Sequence, residues 1–137
     1  MRAARTCDGR NGAMTHQHGT IHWTELASGD PEAAAAFHAR LMGWEIQRNP
    51  MGDEMPYWVM MQGEAPVCGI FAKTEEMAGL PDHWMTYVAV DDVDATAAEA
   101  EAAGGAVIRA PFDVPGVGRI AMIADPGGAV LGVMTPA

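Results

Sequence analysis

Residues 20–46, TIHWTELASGDPEAAAAFHARLMGWEI, and residues 83–108, HWMTYVAVDDVDATAAEAEAAGGAVI, carry the same succession of signals, and that agreement decides the fold. In the first stretch Thr20–Ser28 alternates as a half-buried strand does. Asp30 offers a side-chain oxygen as a helix N-cap, and Pro31 suits the first helical position. EAAAAFHARLM is a strong helix former, and Gly43 ends it. In the second stretch HWMTYVAV reads as the strand, Asp91-Asp92 opens the helix VDATAAEAEAA, and Gly104-Gly105 stops it.

Three further strands follow each helix. They are WEIQR, YWVMMQ and APVCGIFAK in the first case, and AVIRA, RIAMIA and AVLGVMT in the second. Asp30 and Asp92 stand 62 apart, as do Gly43 and Gly105. Val67-Cys68-Gly69-Ile70-Phe71 matches Val130-Leu131-Gly132-Val133-Met134 at an offset of 63. A repeat at a near-constant offset is a duplicated supersecondary unit. The expectation is an α+β fold: two tandem βαβββ modules, at about residues 20–73 and 83–135. With 137 residues there is room for one such domain, residues 19–137, behind a polar leader at 1–18 expected to be disordered. Met14 is a candidate natural start.

Composition narrows the function. An apolar share of 49% suits a globular protein, and no apolar run reaches the roughly 18–20 residues of a membrane span. A formal charge of -10 with scattered Lys and Arg argues against nucleic acid as a partner. The two cysteines, Cys7 and Cys68, make no framework, and no export signal is recognised, so a cytoplasmic chain with free thiols is expected.

Alternation sorts each strand onto two faces. Cys68, Ile70, Leu131 and Val133 should pack under the helices, with Leu26, Val88 and Val90. The repeat register equates Trp23 with Met85 and Glu25 with Tyr87. These four share a face with Gly69 and Phe71 and with Gly132 and Met134. A glycine inside a strand leaves room for a ligand, so a concave aromatic and Met-lined surface with one carboxylate reads as a small-molecule site. A plain core filled by the same side chains is the competing reading.

The duplicated unit, together with DVPGVGRIAMIADPGGAVLGVM at residues 113–134 and its Asp125-Pro126-Gly127-Gly128 turn, resembles the vicinal oxygen chelate superfamily. This superfamily groups glyoxalases, bleomycin-resistance proteins and extradiol dioxygenases. The resemblance covers about residues 19–135 and implies that the two modules form an open barrel-like sheet around one shared cavity. In metal-dependent members His or Glu ligands come from the first and last strands of each module. Those positions here hold Trp23, Gly69, Met85 and Gly132. A divalent cation wants imidazole or carboxylate donors, so no metal and no cofactor are expected. The resemblance also implies pairing as a homodimer.

The candidate residues follow. Glu25 is placed as a general base or hydrogen-bonding anchor, with Tyr87 orienting a ligand or bonding to Glu25. Trp23, Gly69, Phe71, Met85, Gly132 and Met134 are placed as ligand-lining. Arg119, after the loop PFDVPGVG, either holds a substrate anion or pairs with Asp113. His83 with Asp82, His22 and solvent-facing His38 are read as structural, as are the solvated Glu99 and Glu101, while His16 and His18 are an HxH pair in the leader, without fixed partners, that could take up adventitious metal. Trp44 and Trp58 are read as filling core or interface, and Cys68 as a buried, inert thiol. The function expected is binding of a small organic molecule, with Glu25 serving a metal-independent lyase or isomerase. The alternative is a binding protein that sequesters an antibiotic-like molecule without turnover.

Overall fold

The computed structural model describes residues 17–49 and 56–137. The expected leader up to residue 16, with Cys7, Met14 and His16, lies outside the described residues. Eight strands and two α-helices are described, in the order β1 (Ile21–Ser28), α1 (Pro31–Met42), β2 (Glu45–Asn49), β3 (Tyr57–Gln62), β4 (Ala65–Ala72), β5 (His83–Ala89), α2 (Val93–Ala102), β6 (Ala106–Val114), β7 (Gly118–Ala124) and β8 (Val130–Pro136). This is the expected α+β class, with β-α-β-β-β occurring twice. The chain divides into two compact units, residues 23–87 and residues 88–137 with the segment before Trp23.

In the unit of residues 23–87 the strand order is β2-β3-β4-β1. β3 runs antiparallel to both β2 and β4, and β1 lies parallel to β4 with Glu25 opposite Gly69. Asp30 caps α1 by accepting from the Ala33 N–H at 3.2 Å, Pro31 follows, and Gly43 closes the helix at φ 75°. One face of this sheet packs on α1, where Leu26, Ala35, Trp58, Met60, Cys68 and Ile70 form the core. Trp44 packs against them. The expected core roles of Leu26, Cys68, Ile70 and the two tryptophans are therefore observed.

The other unit repeats the plan with β8-β7-β6. Asp92 caps α2 by accepting from Ala95 N–H at 3.0 Å. Val90, Val93, Ala121 and Val133 form its core, with Val88 and Ile123 packed against them. The glycines after the two helices are not equivalent. The left-handed residue is Gly104, at φ 98°, whereas a Cβ on Gly105 would overlap the Ala124 carbonyl oxygen. Gly43 therefore corresponds in role to Gly104, one residue off the sequence register.

The segment PFDVPGVG was expected to be a loop. Most of it is strand, because β6 runs on through Pro111 to Val114. Its pairing to β7 shifts between Val107 and Arg109 and again between Arg109 and Phe112. Proline is tolerated at such a bulged edge, where its missing N–H breaks no regular ladder.

Candidate functional site: a carboxylate held by two phenols

Trp23 and Glu25 lie two residues apart on β1, and Tyr87 lies near the end of β5. The Glu25 carboxylate accepts one hydrogen bond at each oxygen. The Tyr57 hydroxyl donates to Oε1 at 2.6 Å and the Tyr87 hydroxyl to Oε2 at 2.7 Å. Trp23 Nε1–H donates in turn to the Tyr57 hydroxyl oxygen at 2.8 Å. Protons thus run in one direction, from indole to phenol to carboxylate, with the second phenol closing from the other side. Acceptor-only chemistry at both oxygens is what a carboxylate supplies.

Tyr57 was not among the expected site residues. It stands at the start of β3, and β4 separates β3 from β1. Its side chain crosses β4 at Gly69, where a Cβ would overlap the Tyr57 hydroxyl and ring. The room expected at Gly69 for a ligand is occupied by this tyrosine. A signal existed in the hairpin of β3 and β4, whose register sets Val59 opposite Gly69 and Tyr57 opposite Phe71. A diagonal neighbour on one face is within reach of an aromatic side chain.

The environment fixes the protonation of Tyr57. Burial raises its pKa well above the phenol range, and the Glu25 charge and hydrogen bond raise it further. Tyr57 remains a neutral donor and is not a base. Trp23, Glu25, Tyr57 and Met85 are all half-buried, whereas Tyr87 is 6% exposed. The cluster is thus supported from within and still open to approach.

The other expected site residues fall as follows. Phe71 is half-buried on β4, opposite Tyr57, and Met85 lies two residues before Tyr87 on β5. Gly132 and Met134 are buried on β8 in the other unit, opposite Met122 and Ile120 of β7. Arg119, in that same unit, is paired with two carboxylates. It forms a two-pronged pair with Asp94, at 2.8 and 3.0 Å, and bonds Asp113 at 3.1 Å. Both pairings raise its pKa, with Asp94 the larger cause. The expected pairing with Asp113 is present, and Asp94 is an addition.

Several residues read as structural have assigned contacts. His83 Nδ1 lies 2.9 Å from the Pro81 carbonyl oxygen. Asp82 accepts from Gly29 N–H at 3.1 Å and from Lys73 at 3.0 Å. His18 Nδ1 accepts from Asp91 N–H at 2.9 Å. The Cys68 thiol is buried, which pushes its pKa up and leaves it inert. His38 differs from its expected solvent-facing place. It meets Phe37 and Trp84 edge-on, with ring centres 5.0 and 5.3 Å away. These rings line a groove of about 550 Å³ beside α1, with Leu26, Asp30 and Asp82. A second hollow of about 380 Å³ opens in the other unit beside α2, β7 and β8. Neither hollow is lined by Trp23, Glu25 or Tyr87.

The chain is an α+β fold that repeats β-α-β-β-β and carries a polar cluster on its sheet. Residues 20–133 match the Glyoxalase/Bleomycin resistance protein/Dioxygenase superfamily, and the chain belongs to that family. It is 42% identical over 124 residues to "Putative glyoxylase CFP32" of Mycobacterium tuberculosis, a match that covers 90% of this chain and 47% of that protein. It is 34% identical over 127 residues to the anthracycline biosynthesis protein DnrV of Streptomyces peucetius, covering 84% of this chain and 46% of the relative. The chain therefore spans about half the length of the curated relatives it matches. Among solved structures, methylmalonyl-CoA epimerase from Mycobacterium tuberculosis superposes with a TM-score of 0.63 at 16% identity, over 91% of this chain and 94% of that one. At that identity the likeness is one of fold.

The positions at which the resemblance implied metal ligands hold Trp23, Gly69, Met85 and Gly132. The residues present do not fit a divalent cation. The Trp23 indole nitrogen has no lone pair to give, and its N–H is directed at Tyr57. Gly69 has no donor, and the space above it is filled by Tyr57. Glu25 adds a single carboxylate, fewer donors than the set a divalent cation takes. Among the described residues no three His, Cys, Asp or Glu side chains converge on one point. No helix of the described residues is long and apolar enough to cross a membrane.

Proposed function

We propose that this chain binds a small organic molecule at the face formed by Trp23, Glu25, Tyr57 and Tyr87, with Met85 and Phe71 as apolar neighbours, and that Glu25 is the polar anchor. The observation that carries this reading is the half-buried carboxylate fixed by two phenols. A carboxylate whose orientation is set before binding loses little freedom when a ligand arrives. The family and the names of its relatives, a glyoxylase and an anthracycline biosynthesis protein, agree with handling of a small organic molecule. The protein is a cytoplasmic homodimer in this reading. Native mass spectrometry of the purified chain tests it. The wild type should carry a small-molecule adduct that Glu25→Gln loses. An adduct unchanged in Glu25→Gln would defeat the assignment.

Catalysis is the second reading, with Glu25 as the base of a metal-independent lyase or isomerase. It is favoured by the acceptor positions that the carboxylate retains. Against it, the two groups that could polarise a substrate are directed elsewhere. Tyr87 gives its proton to Glu25, and Arg119 is held by Asp94 and Asp113. Binding without turnover therefore fits the geometry better. With a substrate in hand, Glu25→Gln should lower turnover by orders of magnitude if Glu25 is the base. If it is an anchor, only affinity should change.

A further inference from the structure

The cluster permits a count of protons, and the count is one-sided. Trp23 has a single N–H, which goes to Tyr57. Tyr57 and Tyr87 each have one hydroxyl proton, and both go to Glu25. Every side-chain proton of the cluster is therefore directed inward. What remains outward is acceptor capacity. A carboxylate has about four acceptor positions, of which the phenols use two, and the Tyr57 oxygen keeps one lone pair beyond that facing Trp23.

The cations are no better placed to greet an anion. Among the described residues, Lys73 is bound to Asp82 and the Leu80 carbonyl, and Arg119 to Asp94 and Asp113. Arg48 lies over the Trp58 ring and Arg109 over Phe112. Arg40 is exposed in the last turn of α1. The chain carries a formal charge of -10, so the long-range field also repels anions.

We infer that the ligand of this cluster is a hydrogen-bond donor, a neutral hydroxyl- or N–H-bearing aromatic or an organic ammonium, and not a carboxylate, phosphate or other anion. This inference rests on the reading of the cluster as a ligand site. A ligand O–H or N–H would meet the open lone pairs of Glu25, while its flat apolar body would lie against Trp23 and Met85. An anion would find a negative charge and no free proton.

Four benzene derivatives of similar size isolate the polar term: phenol, benzylammonium, anisole and benzoate. Each is titrated at millimolar concentration into the full chain, and the Trp23 indole N–H signal is followed by NMR, assigned with Trp23→Phe. Phenol and benzylammonium should bind about tenfold more tightly than anisole, the ratio expected for one hydrogen bond to a charged group. Benzoate should not move the signal. Glu25→Gln should abolish the preference. Tyr57→Phe, which frees the Trp23 N–H, should let benzoate bind. If anisole or benzoate matches phenol in the wild type, the inference is overturned and the cluster remains a ligand site. If none of the four moves the Trp23 signal, the cluster is not a ligand site and both readings fall.

Discussion

The Tyr57 side chain passes over Gly69, and the two residues occupy what would otherwise be one side chain's space on β4. Strands lie roughly 4.8 Å apart, so a side chain on β3 reaches β1 only if the intervening strand is low at the crossing point. Gly69 is that low point, and the hydrogen bond from Tyr57 to Glu25 depends on it.

Gly69→Ala should therefore push the Tyr57 ring away and break its bond to Glu25. The expected loss is about 1–3 kcal/mol, the usual range for overpacking. In a Tyr57→Ala background the same change should cost much less, because the overlapping ring is gone. Urea denaturation of the four proteins checks this, and additive effects would contradict the pairing.

Tyr57→Phe should leave the Trp23 N–H and one Glu25 oxygen without their partner, at a cost of about 1–3 kcal/mol near neutral pH. It should also change the alkaline limb of stability. The folded pKa of Tyr57 lies above that of the free phenol, 10.0, so its contribution is complete below that value. Above it the unfolded chain gives up a proton that the folded chain retains, and stability falls with rising pH. Chemical denaturation between pH 9 and 11 should show a shallower decline in Tyr57→Phe than in the wild type.

Asp82 supplies the opposite dependence. Lys73 and the Gly29 N–H hold its pKa below the ordinary 3.8. Its contribution is present above that value and disappears as pH falls through the lower folded pKa. Asp82→Asn should lower the melting temperature at pH 7 and have little effect at pH 2. Equal losses at both pH values would assign the effect to packing.

A metal titration examines the altered donor set directly. Mn²⁺, Ni²⁺ or Zn²⁺ added to a chain starting at Gln17, which removes His16, should leave the melting temperature and the Trp23 fluorescence unchanged. A gain of several degrees that Glu25→Gln abolishes would mean that the cluster opens to hold a cation.

The helices and strands were legible because their signals are local: Asp30 and Asp92 as caps, Gly43 as a stop, and alternation in Thr20–Ser28. The pairing of Glu25 with Tyr87 was also visible, because the repeat register overlays them. Tyr57 was hidden, since its bond to Glu25 skips a strand and no periodicity along one strand reports on a neighbour two places away. The length of β6 was hidden because Pro111 reads as a break until the bulges around it are seen. The one-residue slip from Gly105 to Gly104 has the same origin. A stop glycine is written in sequence as a glycine, and which of two takes the left-handed turn depends on the Ala124 carbonyl packed against the other.

β6 pairs with β7 alone in its unit, and an unpaired strand rim is normally an invitation to further strand addition. Here Pro111 withholds a donor and two register shifts break the regular spacing of the rest. Another extended chain laid along this rim would find mismatched partners within a few residues. The same irregularity that obscured β6 in the sequence thus works as a guard against fibril-like stacking, and replacing Pro111 with a β-branched residue would remove part of that guard.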